Sequence, residues 1–210
     1  MSLLVKIDAE IEKQSLLKHP FYLMWSEGKL TQENLAGYSM EYFQLVKVVP
    51  RLVSNVARFA APARVGLIRE NMDEELTHVE PWIKFAGSLG VTKSKLEGYR
   101  GAPATLESVQ ALERLTASSF EQGAAAMYAY EKQLPEISRS KIDGLKKHYG
   151  MEGGDATRYF ELHEEADVRH AAVWRAFLAR SKSEGQVMKA VTDSLRAQNA
   201  LLDSVMANHC

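Results

Sequence analysis

The stretch that most constrains the fold runs from Tyr159 to Phe177 and reads YFELHEEADVRHAAVWRAF. In an α-helix, residues separated by three, four or seven positions lie on one face. His163, Asp167 and His170 have this spacing and share their face with large apolar residues. A helix normally buries such a face, and buried ionisable side chains are costly unless they are paired or bind a metal. The rest of the chain must therefore supply partners for these three side chains.

The remainder of the chain also has helical patterning. Between clusters of proline and glycine, apolar residues recur with helical rather than alternating periodicity, and no strand is predicted. The predicted helical segments are 2–17, 19–25, 31–49, 62–89, 106–134, 136–149, 159–177 and 185–207. Segment 90–105 is predicted to be a long surface loop, because the helices on either side each carry part of the candidate site. We expect an all-α bundle of about seven helices forming one domain over residues 1–210.

Composition excludes several classes of protein. With 26 basic and 27 acidic residues, the chain has almost no net charge. It therefore has no general electrostatic attraction to nucleic acid or to an anionic membrane. No apolar run approaches the roughly 20 residues of a membrane span. The N-terminus becomes charged too early for a secretory signal, and the single cysteine, Cys210, allows no intrachain disulfide. We expect a cytoplasmic protein with no nucleic-acid or membrane partner.

Two other predicted helices carry ionisable side chains at apolar positions. Glu74 and His78 lie four residues apart in one of them, and Glu131 lies in the other. Together with the three residues above, they make three carboxylates and three imidazoles. Such a set suits two divalent metals, such as iron or manganese, with open positions for oxygen or a substrate. Glu75 competes with Glu74 for this role. A single metal and a purely structural hydrogen-bond network stay open as alternatives.

Three more residues bear on chemistry. Lys141 lies on the apolar side of its helix, and buried lysines readily lose their charge and become nucleophilic amines. The alternative is a lysine whose tip reaches water. Tyr22 and Tyr38 lie among apolar neighbours, as core tyrosines do. Beside a metal–oxygen oxidant, however, tyrosine is also among the most easily oxidised side chains.

Four sequence motifs resemble a known family. They are HPFYLMWSEGKLT, MDEE followed by HVEPW, AAMYAYEKQLPEISRSKI, and HEEADVRH. These motifs are similar to those of the chlamydial protein associating with death domains and its bacterial relatives. That family belongs to the haem-oxygenase-like superfamily, with TenA and pyrroloquinoline-quinone synthase C. The resemblance covers nearly the whole chain from about residue 16 to residue 180 and implies a seven-helix fold, which is compatible with a homodimer.

The resemblance implies an oxygenase with two iron ions, or one iron and one manganese, that uses dioxygen and an external reductant. Carried over residue by residue, the implied metal ligands are Glu74, His78, Glu131, His163, Asp167 and His170. The Glu-to-His spacing in the third long helix is about three residues shorter here, which leaves the choice between Glu74 and Glu75 open. Family members are implicated in making p-aminobenzoate, a folate precursor. They resemble self-sacrificing enzymes, and the matching residues are Tyr22 as the consumed tyrosine, Lys141 as the amino donor and Tyr38 as a neighbour.

Other functions stay open at this point. The first is an oxygenase or oxidase of the same fold that acts on a free small molecule, such as a fatty acid or a quinone-cofactor precursor. The second is a non-enzymatic protein-interaction module, although no exposed apolar run supports it. A thiaminase is disfavoured because the only cysteine is Cys210. A haem oxygenase with His19 as the axial ligand is also possible, but the carboxylate-rich set of side chains suits non-haem metal ions better than haem iron.

Overall fold

A computed structural model describes residues 1–210 and contains only helices, so the all-α prediction is confirmed. The α-helices are α1 Leu3–Lys13, α2 Pro20–Ser26, α3 Gln32–Val46, α4 Val49–Ala57, α5 Pro62–Ser88, α6 Lys93–Gly98, α7 Pro103–Thr116, α8 Phe120–Glu131, α9 Leu134–Tyr149, α10 Gly154–Leu178 and α11 Glu184–His209. A short 3-10 helix, Leu16–Lys18, joins α1 to α2. None of the helices combines the length and apolar character needed to cross a membrane.

The helix count exceeds the predicted seven because three predicted segments divide differently. Segment 106–134 is two helices, α7 and α8, since the Ser119 hydroxyl accepts a hydrogen bond from the Gln122 N–H and caps a new helix. Segment 31–49 ends at Val46, and a separate helix, α4, begins at Val49 with Pro50 in its first turn. The predicted loop 90–105 contains α6, which the Thr92 hydroxyl caps.

The core consists of 51 contiguous buried residues contributed from α1 through α11. Within this core, helix α10 packs against α5, α8 and α9. Glu75 of α5 lies beside His170, whereas Trp82, two turns later, lies beside Tyr159. The two helices therefore run antiparallel, and residue pairs along them meet in layers. This layering places the buried stripe of α5 against the polar face of α10.

Candidate metal centre

The polar face of α10 is buried as its periodicity indicates. His163, Asp167 and His170 are each at most 2% exposed. The Nδ1 atom of His163 donates a hydrogen bond to the Tyr159 carbonyl oxygen at 2.7 Å. Because a carbonyl oxygen only accepts, this bond fixes the proton on Nδ1 and leaves Nε2 of His163 free to bind a metal. The ring of His163 lies 4.4 Å from that of His78, between centroids.

Helix α5 supplies the facing side chains. His78 and Glu75 are 2% and 4% exposed. The Glu75 carboxylate lies between two imidazoles, with Oε2 3.4 Å from His78 Nδ1 and Oε1 3.2 Å from His170 Nδ1. Asp167 Oδ1 is 3.7 Å from the same His170 nitrogen. Glu75 therefore occupies the middle of the cluster.

The structure buries Glu75 among these groups and leaves Glu74 at their edge, so Glu75 is the better candidate for the α5 carboxylate that the sequence left open. The side chain of Glu74 is 35% exposed, accepts a hydrogen bond from Arg169 at 2.5 Å and lies 3.0 Å from His170 Nε2. Its position is one residue, or about 100° of helix rotation, away from the buried stripe that carries Glu75 and His78. Glu74 thus closes the rim of the cluster and pairs with a surface arginine.

Glu131 enters from α8 and is completely buried. Its Oε2 accepts a hydrogen bond from the Trp174 indole N–H at 2.6 Å, while Oε1 has no partner. Burial raises the pKa of the Glu131 carboxyl well above its usual range. Trp174, one turn after His170 on α10, therefore orients the carboxylate that α8 contributes.

The side chains fit divalent metal ions. Two groups of three have ligand atoms within 4.8 Å of one another: Glu75 with His78 and His163, and Glu75 with Asp167 and His170. Both Asp167 oxygens lack a hydrogen-bond partner. Buried polar atoms without partners are rare in proteins and need an explanation, and a bound cation provides one. Mixed carboxylate and imidazole ligands suit iron and manganese.

Electrostatics support the same interpretation. Burial opposes the charge of Glu75, but the neighbouring imidazoles of His170 and His78 outweigh it and hold the pKa of that carboxyl well below its usual range. Burial also disfavours charge on His170, yet Asp167 and Glu75 raise the pKa of its imidazole to about 11. Burial raises the pKa of Asp167. The proton on His170 thus offsets negative charge of the carboxylates, and a bound metal would offset that charge after displacing the proton.

A second buried group surrounds Lys141 on α9. The lysine is 4% exposed, so its tip does not reach water as the alternative interpretation required. Its Nζ donates a hydrogen bond to the Tyr38 hydroxyl and lies 4.6 Å from the centroid of the Tyr22 ring. Burial lowers the pKa of Lys141 well below its usual range. The three residues predicted for chemistry, Tyr22, Tyr38 and Lys141, therefore meet in one place.

Close packing of α2 against α9 makes this meeting geometrically feasible. A Cβ atom at Gly144 would lie 2.6 Å from Cδ1 of Trp25, so only glycine fits at that position. The Trp25 indole N–H also donates to the Lys141 carbonyl oxygen at 3.1 Å. Trp25 thereby fixes α2, and with it Tyr22, at the level of Lys141.

An aromatic array joins the Lys141 group to the carboxylate–imidazole cluster, and sequence reasoning missed it. Ring centroids are 5.2 Å apart for Tyr38 and Tyr42, 5.2 Å for Tyr42 and Trp82, 4.6 Å for Trp82 and Tyr159, and 4.1 Å for Tyr159 and His163. Burial raises the pKa of Tyr42 to about 12. The sequence showed Trp82 and Tyr159 only as apolar stripe residues, because their contact depends on the register of α5 against α10.

Asn71 is another residue that sequence reasoning missed. It is 6% exposed, and its side-chain Nδ2 has no hydrogen-bond partner. Asn71 lies one helical turn before Glu75 on the stripe that also carries His78. The i, i+4 spacing of Asn71 and Glu75 was the available signal. The unpartnered amide therefore extends the polar stripe of α5 by one turn.

Comparison with solved structures defines the class of fold. The chain is similar to a TenA homologue from Pseudomonas syringae pv. tomato, with a TM-score of 0.82 and 17% identity over 98% of this chain and 91% of that one. It is also similar to a CADD-like protein of unknown function from Nostoc punctiforme, with a TM-score of 0.73 and 17% identity over 98% of this chain and 100% of that one. The fold is therefore that of the TenA and haem-oxygenase-like proteins.

Sequence comparison then gives the family. Residues 37–199 match the family described as iron-containing redox enzymes, and the chain belongs to this haem-oxygenase-like family. A 4-aminobenzoate synthase of Chlamydia muridarum is 35% identical over 98% of this chain and 91% of its own length. A 4-aminobenzoate synthase of Nitrosomonas europaea is 32% identical over the same shares. A pyrroloquinoline-quinone synthase of Xanthomonas oryzae pv. oryzae is 26% identical over 69% of this chain and 61% of its own length. The resemblance drawn from the sequence motifs is confirmed.

Proposed function

We propose that this chain is a metal-dependent oxygenase that forms 4-aminobenzoate from its own side chains. Tyr22 would supply the aromatic ring and Lys141 the nitrogen. The observation that carries the proposal is the buried Lys141 amine, 4.6 Å from the Tyr22 ring centroid and hydrogen-bonded to Tyr38. Relatives that match over nearly the whole chain are named 4-aminobenzoate synthase.

The carboxylate–imidazole cluster would hold two divalent metals, either two irons or iron and manganese. His78 and His163 would bind one ion, while Asp167 and His170 would bind the other, with Glu75 common to both groups. Glu131, held by Trp174, would complete the set. When bound, the metals would activate dioxygen with electrons from an external reductant.

The proposed product relates simply to a tyrosine side chain. Tyrosine carries an oxygen para to Cβ, whereas 4-aminobenzoate carries a nitrogen para to a carboxylate. The conversion breaks the Cα–Cβ bond of Tyr22 and oxidises Cβ to the carboxylate. At the other end of the ring, Nζ of Lys141 replaces the phenol oxygen, which leaves as water, and the Cε–Nζ bond of Lys141 breaks to release the product. Dioxygen and the reductant supply the oxidant and the electrons. A ring that is part of the folded core needs no binding step. Its translational and rotational entropy is already lost on folding, so it reacts at a high effective molarity.

Lys141 is suited to donate nitrogen because its environment favours the neutral amine. Five aromatic rings lie within 5.6 Å of its Nζ, measured to their centroids, and exclude water from the amine. A neutral amine keeps the lone pair that a carbon–nitrogen bond requires. The Tyr38 hydroxyl fixes Nζ in position and can take or return a proton there. Because Tyr22 and Lys141 are both consumed, each chain would react once.

Intact-protein mass spectrometry tests this proposal. Metal-loaded protein is analysed before and after one exposure to reductant and dioxygen, and 4-aminobenzoate is quantified in the same sample. We expect no more than one product molecule per chain and a matching permanent loss of protein mass. Tyr22→Phe and Lys141→Arg should abolish product, whereas Tyr149→Phe, on the same helix as Lys141, should not. Product that accumulates over many turnovers with unchanged protein mass would instead identify an enzyme acting on a free substrate.

A further inference from the structure

A surface cavity of about 420 Å³ lies between α8, the start of α9 and α10, directly over the candidate metal centre. Asp167, one of the proposed metal ligands, forms part of its wall. A small molecule bound in this cavity would therefore lie on the other side of the wall that contains Asp167.

The chemistry of the cavity rim favours an anion. Lys132, Arg139 and Arg175 line it, with Glu136 as the one rim carboxylate. Arg139 and Arg175 form salt bridges of 2.9 Å with surface carboxylates, but Lys132 forms none. An unpaired cation on a concave surface concentrates small anions near it.

The wall facing the cluster is built from small side chains. Ala171 and Ala172 follow Asp167 by one turn on α10 and line the cavity beside Val168. No bulky side chain of α10 therefore fills the space next to Asp167. The volume lies within the range of about 300–1,000 Å³ that is typical of sites for small organic molecules.

We propose that this cavity binds the small anionic electron donor of the enzyme, an enediolate of the ascorbate class, with Lys132 as its recognition residue. The inference rests on the proposed function, which requires external electrons. An enediolate monoanion that gives up two electrons releases its remaining acidic proton to solvent and leaves as the neutral diketone. Metals held by the carboxylate–imidazole cluster would accept these electrons. The electrons need to cross only the wall that contains Asp167.

Amine acylation tests binding without any turnover. The metal-loaded protein is treated anaerobically with an acetylating N-hydroxysuccinimide ester, with and without ascorbate, and acetylation is measured by peptide mass spectrometry. We expect saturating ascorbate to slow acetylation of Lys132 at least about threefold and to leave that of Lys146, an exposed lysine on α9 outside this cavity, unchanged. Equal rates with and without ascorbate at Lys132, or equal slowing at both lysines, would overturn the proposal. Protection by 4-aminobenzoate but not by ascorbate would also overturn it and would identify a product site.

Reduction kinetics provide an independent arm. Lys132→Glu should slow reduction of the oxidised protein by ascorbate at least about fivefold at low salt, and the effect should shrink near 1 M salt, where the screening length is about 3 Å. Lys146→Glu should have no effect. Ala172→Trp should slow both ascorbate and a cationic reduced viologen, because it fills the cavity. If neither variant changes either rate while 4-aminobenzoate still forms from Tyr22, the cavity proposal fails and the proposed function stands.

Discussion

Replacing Lys141 with methionine should stabilise the protein near neutral pH, and the gain should decrease as the pH rises. Burial holds the pKa of Lys141 well below its usual range, whereas the lysine of the unfolded chain titrates near about 10.4. Between these two pKa values the unfolded chain binds one more proton than the folded chain. The free energy of unfolding of the wild-type protein therefore rises with pH over that interval. Methionine has no titrating group and removes this dependence.

The size of the effect follows from proton linkage. One proton contributes about 1.4 kcal/mol per pH unit, so an interval of two units within the window changes the difference between wild type and Lys141→Met by about 2.7 kcal/mol. Methionine also loses the hydrogen bond from Nζ to Tyr38. That loss costs about 1 kcal/mol and depends little on pH over this range. The pH slope therefore isolates the buried amine from the packing change.

Urea unfolding at several pH values between about 7.5 and 9.5, with matched metal content, measures this difference. Lys146→Met, on the exposed side of the same helix, serves as the control and should give curves parallel to those of the wild type. If the Lys141→Met curves are also parallel to the wild type, the folded-state amine is charged throughout. The argument for Lys141 as a neutral nitrogen donor would then be refuted.

Four further substitutions test the candidate metal centre and its surroundings. Glu75→Gln should bind less than the two metal equivalents expected of the wild type, whereas Glu74→Gln should retain both; elemental analysis after desalting distinguishes them, and the reverse result would restore Glu74 as the ligand. Trp174→Phe removes the hydrogen bond that orients Glu131 and should weaken metal affinity about 10- to 100-fold, as measured by competition with a chelator; unchanged affinity would contradict that role. Asn71→Leu should raise the free energy of unfolding of metal-free protein by up to about 2 kcal/mol, because an unpartnered buried amide is costly; a destabilised variant would show that the amide has a partner.

The sequence was sufficient to predict which helical faces carry the candidate site. The spacing of His163, Asp167 and His170 needs only helix geometry, and the structure buries all three. The choice between Glu74 and Glu75 could not be made from the sequence, because the two positions differ by about 100° of rotation around the helix axis and both lie near the polar face. Only the packing of α5 against α10 decides which of the two faces inward.

Other features depend on contacts distant in sequence. Local periodicity placed Lys141 on the apolar side of α9, but it left open whether the amine reaches water. The approach of α2 and α3 to α9 decides that the amine is buried. The aromatic array requires the antiparallel register of α5 and α10. The division between α7 and α8 did have a local signal at Ser119, but the apolar periodicity on either side of it favoured one continuous helix.

Isotope labelling of the protein tests the central claim most directly. Protein produced with ¹³C-labelled tyrosine and ε-¹⁵N-labelled lysine is loaded with metals, freed of small molecules and exposed once to reductant and dioxygen. The 4-aminobenzoate released should carry both labels, and peptide mass spectrometry should locate the lost atoms at Tyr22 and Lys141. Product that lacks one or both labels would contradict this origin. Labelled product from a chain in which Tyr22 and Lys141 are intact would also contradict it.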